Sequence, residues 1–397
     1  MAYDITNVSD ANVLIDSFKL SKQGVAWKGS IQKYDIHLLE NTYKTKVSLE
    51  NGTYQSNNFV EFPLSERGKT RWIKSMHIKD RVVQRAICDQ VLLPNLQKYL
   101  IYDNGASIKG KGIDFTLNRL YEHLHKHYRK YGLQGYIVLI DFTKYFDNIP
   151  HDKLLEGFSR NISDERLLKL IKYLVSLFEI EIGMLPQEMQ DEFEHGIFNN
   201  LKYSAYIKEH PECLAKPFKS KKLKRSIGVG SQISQIGGLY YPTHIDNYFK
   251  IVKGIKGYAR YMDDTYILCK TKQEAIDCLN KMYEECNKIG IFINKKKTQI
   301  IPINKPFTFL KIKHRITKTG AIIRKICPET KKRNRKKMKK LAKKLWNGKI
   351  NYEDCHCSFM SYQGRLKKFN DYWTLYNINQ LYDFLYINNY FQEPYNI

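Results

Sequence analysis

Tyr136-Ile137-Val138-Leu139-Ile140-Asp141 and Gly257-Tyr258-Ala259-Arg260-Tyr261-Met262-Asp263-Asp264-Thr265-Tyr266-Ile267-Leu268-Cys269 are the two stretches that decide the fold. The first is a continuous apolar run of strand length, as expected of a strand buried on both faces, and it ends directly in a carboxylate. The second reads as strand, turn and strand, with two acids at the turn. Helical patterns cover 151–215, 236–251 and 272–289, and a short strand follows at 291–294. This order predicts an α+β fold in which an antiparallel sheet carries helices on one face. A carboxylate at one strand end and a pair at a neighbouring turn would then meet on the same sheet edge.

Outward from this block, residues 1–60 read as a helical opening followed by a polar, β-rich stretch, with Asn51-Gly52 as a turn. Residues 61–79 read as a hairpin with a basic tip around Ser65–Lys69. Residues 80–100 space their apolar side chains like an amphipathic helix, with Asp80 as its N-cap. A Gly/Lys-rich loop at 103–112 precedes a helix at 114–130, and 306–323 is β-rich. From about residue 329 the composition turns sharply basic and then aromatic.

The chain has 397 residues, with 66 Lys+Arg against 40 Asp+Glu, a formal net charge of +26. Such an excess favours a polyanionic partner over small acidic metabolites. Hydrophobic residues make up 43% of the chain, enough for a large core. No apolar run is long enough to span a bilayer, so no membrane association is expected. The opening MAYDITNVSD lacks the features of a secretory signal. Eight scattered cysteines fit reduced thiols, and a cytoplasmic location is the expectation.

The three acids carry the chemistry. Phosphoryl transfer by the two-metal route needs two hard cations about 3.5–4 Å apart. Mg²⁺ takes oxygen ligands and uses few carboxylates. A carboxylate after a buried strand is a rigid ligand, and an acid on a tight turn can bridge both ions. Any one of these Asp residues, taken alone, is equally an ordinary turn former.

Ile137–Ile149 (IVLIDFTKYFDNI) and Ala259–Leu268 (ARYMDDTYIL) resemble the two catalytic palm motifs of reverse transcriptases. The resemblance continues in register over about residues 50–320 and is similar to the bacterial, non-retroviral branch. Segments 49–54, 66–71, 80–87 and 103–112 resemble the fingers of its defence-associated and diversity-generating members. The resemblance implies a right-hand polymerase: N-terminal extension and fingers at 1–135, palm at 136–305, a primer-grip hairpin at 306–325 and an α-helical, basic thumb at 326–397. It implies Asp141, Asp263 and Asp264 as catalytic acids. Two Mg²⁺ ions, replaceable by Mn²⁺, would be bound by these acids and the carbonyl of Phe142.

Further residues follow from the same resemblance. Lys69 and Arg71 would hold the triphosphate, Arg as a bidentate fork and Lys as a point charge. Phe146 would sit under the sugar and exclude a 2′-hydroxyl, although alternation alone does not decide whether Tyr145 or Phe146 faces the site. Ser226–Gln235, with its glycines before a helix N-terminus, resembles the template- and nucleotide-positioning motif and contributes Gly230 and Gln235. Its Ser234-Gln235 ending resembles diversity-generating and some defence enzymes. Lys297, before Thr298, resembles the lysine that approaches the leaving pyrophosphate. Lys109 and Lys111 would meet template backbone, and Phe309 the primer. Lys332, Arg333, Arg335 and Lys336 would track a duplex.

The implied activity is RNA-directed DNA synthesis from dNTPs on a primer 3′-hydroxyl. The implied partners are template RNA, nascent DNA and a dedicated noncoding RNA in bacterial antiviral defence. An accessory protein or a homo-oligomer is a further implied partner. The rival within the family is a low-fidelity diversity-generating enzyme. Rivals outside it are an RNA-dependent RNA polymerase, which Phe146 opposes, and a non-catalytic RNA-binding scaffold.

Overall fold

The computed structural model describes residues 3–388 except 58, 67, 68, 216 and 370, and of Glu66 and Lys69 the backbone alone. The chain gathers into two compact bodies. One comprises Met1–Thr116, Ile140–Ile267 and Ile276–Thr298, and the other Leu117–Leu139, Leu268–Ala275 and Gln299–Ile397. The class is α+β, as the pattern of elements predicted.

In the first body the chain is helical to Glu50, through Ala11–Ser21, Gly29–Ile36 and Leu38–Glu50. The β-rich stretch expected before residue 60 is therefore corrected to helix. Thr42, Thr45 and Leu49 recur at helical spacing and are buried, so two β-branched threonines serve a helix face rather than a strand. Asn51-Gly52 does form a turn, but it closes this helix. Gly52 takes φ +68°, and the Gly52 and Thr53 N–H groups return to the carbonyls of Leu49 and Ser48.

The expected hairpin is present. Phe59–Glu66 pairs antiparallel with Lys69–Met76, from Phe59 opposite Met76 to Glu66 opposite Lys69. Its basic tip, Arg67-Gly68, and the side chain of Lys69 lie outside the described residues. The next helix, Ile78–Ile87, starts two residues before Asp80 with His77 at its N-cap. Asp80 is thus not the cap. It is fully buried, accepts the Tyr54 hydroxyl and the Asn57 N–H, and ties the incoming chain to the helix.

The strand Tyr136–Ile140 has the predicted ends, and Ile137–Ile140 are buried. Tyr258–Tyr261 and Asp264–Cys269 form the predicted hairpin, followed by the helix Lys272–Ile289. Gln299–Pro302 pairs antiparallel with Tyr136–Ile140, with Gln299 opposite Leu139 and Pro302 opposite Tyr136. The expected strand at 291–294 is Phe292–Ile293, paired with Phe142–Thr143. Between residues 180 and 223 a small separate core forms from Ile180, Ile182, Leu185, Phe193, Phe198 and Leu223.

In the second body, Phe307–Phe309, Ile312–Ile316 and Ile322–Ile326 make a three-stranded antiparallel sheet. Leu310 and Lys311 turn the first hairpin with φ of 46° and 63°. Three helices follow: Pro328–Trp346, Tyr352–Lys368 and Tyr372–Tyr382. Among the described residues no helix is long and apolar enough to cross a membrane.

His314, on the middle strand of this sheet, is fully buried, and its ring lies against those of Phe307 and Tyr121. Its Nδ1 is buried with no hydrogen-bond partner among the described residues. Burial lowers its pKa to about 4. The folded state therefore resists a proton that the unfolded chain accepts near its usual pKa of about 6.5. Stability contributed by neutral His314 is present above that value and is lost as pH falls towards about 4. The difference amounts to about 3 kcal/mol, and we expect His314→Leu to flatten it. Urea unfolding midpoints of both proteins at mildly acidic and neutral pH check this. An equal acid loss in the variant would assign the effect to other groups.

Candidate active site

A charged residue in a buried strand needs a partner, and Arg260 shows how the turn at Asp263 is held. Arg260 is fully buried in Tyr258–Tyr261. Its Nε donates to both carboxylate oxygens of buried Asp246 at 2.9 Å, and Nη2 adds a third bond at 2.7 Å. The Tyr258 hydroxyl completes the cluster on Asp246 at 2.7 Å. Burial opposes the Arg260 charge, but the Asp246 carboxylate prevails and holds the guanidinium more firmly protonated than usual. The remaining donors of Arg260 reach carbonyls: Nη1 to Met262 at 3.1 Å and Nη2 to Leu239 at 2.7 Å.

The guanidinium thus grips the turn itself. Tyr261 faces Asp264 across a two-residue connection, Met262-Asp263, with Met262 at φ 54°. A non-glycine residue there costs about 1–3 kcal/mol, so surrounding bonds must enforce it. Asp263 is thereby displayed at the apex, and Asp264 opens the strand.

Asp141 arrives from the other side. Its carbonyl accepts the Asn294 N–H at 2.8 Å, and Phe142–Thr143 continues the pairing with Phe292–Ile293. A turn then carries the chain back: the N–H groups of Lys297 and Thr298 both donate to the Asn294 carbonyl. That turn brings Lys297 Nζ to 2.6 Å from Asp141 Oδ2. Burial raises the pKa of Asp263, the nearby charge of Asp141 raises it further, and Lys297 and Arg71 pull it down. Asp141, Asp263, Lys297 and Arg71 thus share one electrostatic neighbourhood.

A cavity of about 430 Å³ opens there, lined among others by Arg71, Phe146, Val229, Asp263 and Lys297. Phe142 also lines it. Tyr145 and Phe146 both contribute walls, but the Tyr145 hydroxyl is committed to the Gly238 carbonyl at 2.7 Å and that ring is buried. The hairpin strand is fixed to the glycine-rich loop by Lys74 N–H on the Val229 carbonyl at 3.0 Å. Gly230 makes this approach possible: at φ +125°, a Cβ would lie 3.0 Å from the Lys74 carbonyl oxygen. Ser231 caps the helix Gln232–Tyr240 through the Ser234 N–H at 3.0 Å.

The donor set suits a hard divalent cation. Burial and the neighbouring Asp141 charge raise the cost of ionising Asp263, and Lys297 is the cation bonded to Asp141 among the described hydrogen bonds. Asp191, Glu194 and His195 are the one group of three potential metal ligands this close together among the described residues. They lie on the helix Gln187–His195, and Glu194 is already paired with Lys221 at 2.9 Å.

Other expected residues lie elsewhere. Gln235 is on the exposed side of its helix and does not line the cavity. Lys109 is exposed, whereas Lys111 donates to the Tyr102 carbonyl at 2.6 Å and sits over the Phe115 ring. Phe309 is 4% exposed, so its ring belongs to the core of the three-stranded sheet. Lys332, Arg335 and Lys336 are exposed on Pro328–Trp346, and Arg333 is half-buried.

Asp246, Asn200 and Leu201 were missed. Asn200 and Leu201 line the cavity from the small core at 180–223. Asn148 docks that segment by accepting the Phe198 N–H at 2.9 Å and donating to its carbonyl at 3.1 Å. For Asp246 the available signal was Arg260 itself, a charge in an otherwise apolar strand that calls for a buried acid.

Residues 217–314 match the family model described as reverse transcriptase (RNA-dependent DNA polymerase). Within those residues the chain is similar to the domain of an RNA-directed DNA polymerase. Over 180 residues the chain is 22% identical to protein YkfC of Escherichia coli strain K12. The match covers 44% of this chain and 45% of that protein, so the chain spans less than half of the relative's length. A structure of telomerase from Candida albicans, in complex with a TWJ fragment of telomeric RNA, is similar at 13% identity with a TM-score of 0.43. That similarity covers 91% of this chain and 66% of the other.

Breaking a buried ion pair by removing one partner costs about 3–5 kcal/mol. Asp246→Asn should therefore lower unfolding stability by about that amount and loosen the Met262 carbonyl. Urea titration against wild type tests this, and a change below 1 kcal/mol would show that the pair is dispensable.

Proposed function

We propose that this protein is a right-hand reverse transcriptase that extends a primer 3′-hydroxyl with dNTPs on an RNA template. Fingers would occupy 1–135, the palm 136–305, the primer grip 306–325 and the thumb 326–397. The observation that carries the reading is the convergence of Asp263, Lys297, Arg71 and Phe146 on one cavity, with Asp141 bonded to Lys297. Asp141, Asp263, Asp264 and the Phe142 carbonyl would hold two Mg²⁺ ions, with Mn²⁺ as a substitute. When bound, these ions would activate the primer hydroxyl and neutralise charge on the leaving pyrophosphate.

The side chains then divide the work. Arg71 and Lys69 grip the triphosphate. Phe146 presents its ring to the sugar and leaves no room for a 2′-hydroxyl. Lys297 releases Asp141 as a nucleotide enters and turns its ammonium to the departing phosphates, as an electrostatic stabiliser or proton donor. Gly230 lets the template strand or nucleotide approach the backbone, with Gln235 further along the same segment. The basic helix at 328–346 tracks the product duplex through phosphates, independent of sequence.

The biological setting we favour is bacterial antiviral defence, with a dedicated noncoding RNA as template. The Ser234-Gln235 ending supports this reading and equally the diversity-generating one. Genomic neighbours separate them: a template repeat with a variable-protein gene would overturn the defence assignment.

Primer extension on RNA templates tests the activity. Asp263→Ala should lose about a thousandfold or more of the rate, the scale expected when several kcal/mol of charge stabilisation disappear. A variant as active as wild type on every template would end the enzyme reading. For Lys297→Ala the expectation is a fall of about a hundredfold in kcat with KM little changed, the mark of a group acting in the transition state. A rise in KM alone would instead make Lys297 a binding residue.

A further inference from the structure

The C-terminal helix presents an unusual outer face. Thr374, Ile378 and Tyr382 pack inward, while Trp373, Tyr376 and Phe384 are 74%, 57% and 56% exposed. Trp373 and Tyr376 stack on one another, ring centroids 6.0 Å apart at 18°. Two large rings held parallel in solvent form a rigid flat surface with little entropy left to lose on binding. The exposed side chain of Gln380 interrupts this face in place of an aliphatic one.

The segment that carries this face is tied to the basic helix of the same body through its other residues. Lys331 Nζ pairs with Asp371 at 2.5 Å, and the Tyr386 hydroxyl donates to the Met338 carbonyl at 2.6 Å. The basic helix carries ten Lys and Arg against one acid, Glu329. Aromatic planes beside a dense cationic surface match a strand of unpaired bases on a phosphate chain: the planes take the bases, the ammonium groups the backbone. A duplex hides its base planes and would use the cations alone.

We infer that Trp373 and Tyr376, with the neighbouring cations of Pro328–Trp346, form a stacking platform for single-stranded RNA. This rests on the proposed reading in taking RNA as the partner. The platform would hold an unpaired arm of the template RNA. A second copy of this chain or an anionic membrane is the competing occupant of such a face. Charge argues against self-association, because two faces beside ten like charges repel, and the amide of Gln380 is a poor insert for lipid.

The test uses the full chain and a labelled oligoadenylate strand, with binding read by fluorescence anisotropy. Trp373→Ala combined with Tyr376→Ala should weaken binding about thirtyfold or more, since each base–ring stack contributes a factor of about 5 to 150. Affinity for an RNA duplex of equal length, its salt dependence and the melting temperature should stay as in wild type. Unchanged oligoadenylate binding would overturn the inference, as would an equal loss on duplex and single strand. A wild-type dimer that the double variant converts to monomer would assign the face to a second copy. Binding to phosphatidylglycerol vesicles that the variant abolishes would assign it to a membrane. Failure of the polymerase reading would show separately, as wild type that makes no DNA, with strand binding still measurable.

Discussion

The buried contact between Arg260 and Asp246 is the constraint from which the site is built. Two charges without water are tolerable only if every donor and acceptor is used, and here they are spread over three elements. Asp246 belongs to the short helix Thr243–Asn247, the Leu239 carbonyl to the end of Gln232–Tyr240, and the Met262 carbonyl to the turn. One guanidinium therefore locks the helix after the glycine-rich loop to the loop that displays Asp263. A lysine could supply the charge but not the planar fork.

The other half of the site depends on pairing rather than burial. Asp141 sits where a strand buried on both faces gives way to a two-residue pairing with Phe292–Ile293. That pairing decides where the Asn294 turn falls, and the turn decides where Lys297 lands. The cavity wall from 180–223 comes with its own apolar cluster, so it can vary without disturbing the acids. Asn148, which imitates a backbone group towards Phe198, is the joint between the two.

Elements with a strong period were legible from residues alone. Tyr136–Ile140, the hairpin around Met262-Asp263 and the helix Lys272–Ile289 appear where their patterns place them. Errors arose where one residue type serves two structures. Thr42 and Thr45 favour strands by shape, yet helical spacing with Leu49 buried them on a helix. Asp80 has the chemistry of a cap, but tertiary contact with Tyr54 and Asn57 claimed it. Asp246 could not be recognised, because nothing local tells a partnered acid from a solvated one. Phe309 shows the limit of alternation: it predicts which residues share a face, not whether that face meets a ligand or the core.

The distance along the chain between the bonded groups has a consequence for biosynthesis. Arg260 and Asp246 are 14 residues apart, whereas Lys297 and Asp141 are separated by 156. At about 5–20 residues per second, a ribosome delivers the lysine roughly 8–30 s after the aspartate. The Arg260–Asp246 pair can therefore close on the emerging chain soon after its second half appears, while the Lys297–Asp141 contact waits for a much later segment. A nascent chain of this protein thus spends that interval without the Lys297–Asp141 contact, and ribosomal pausing inside it would lengthen the time before the bond can form.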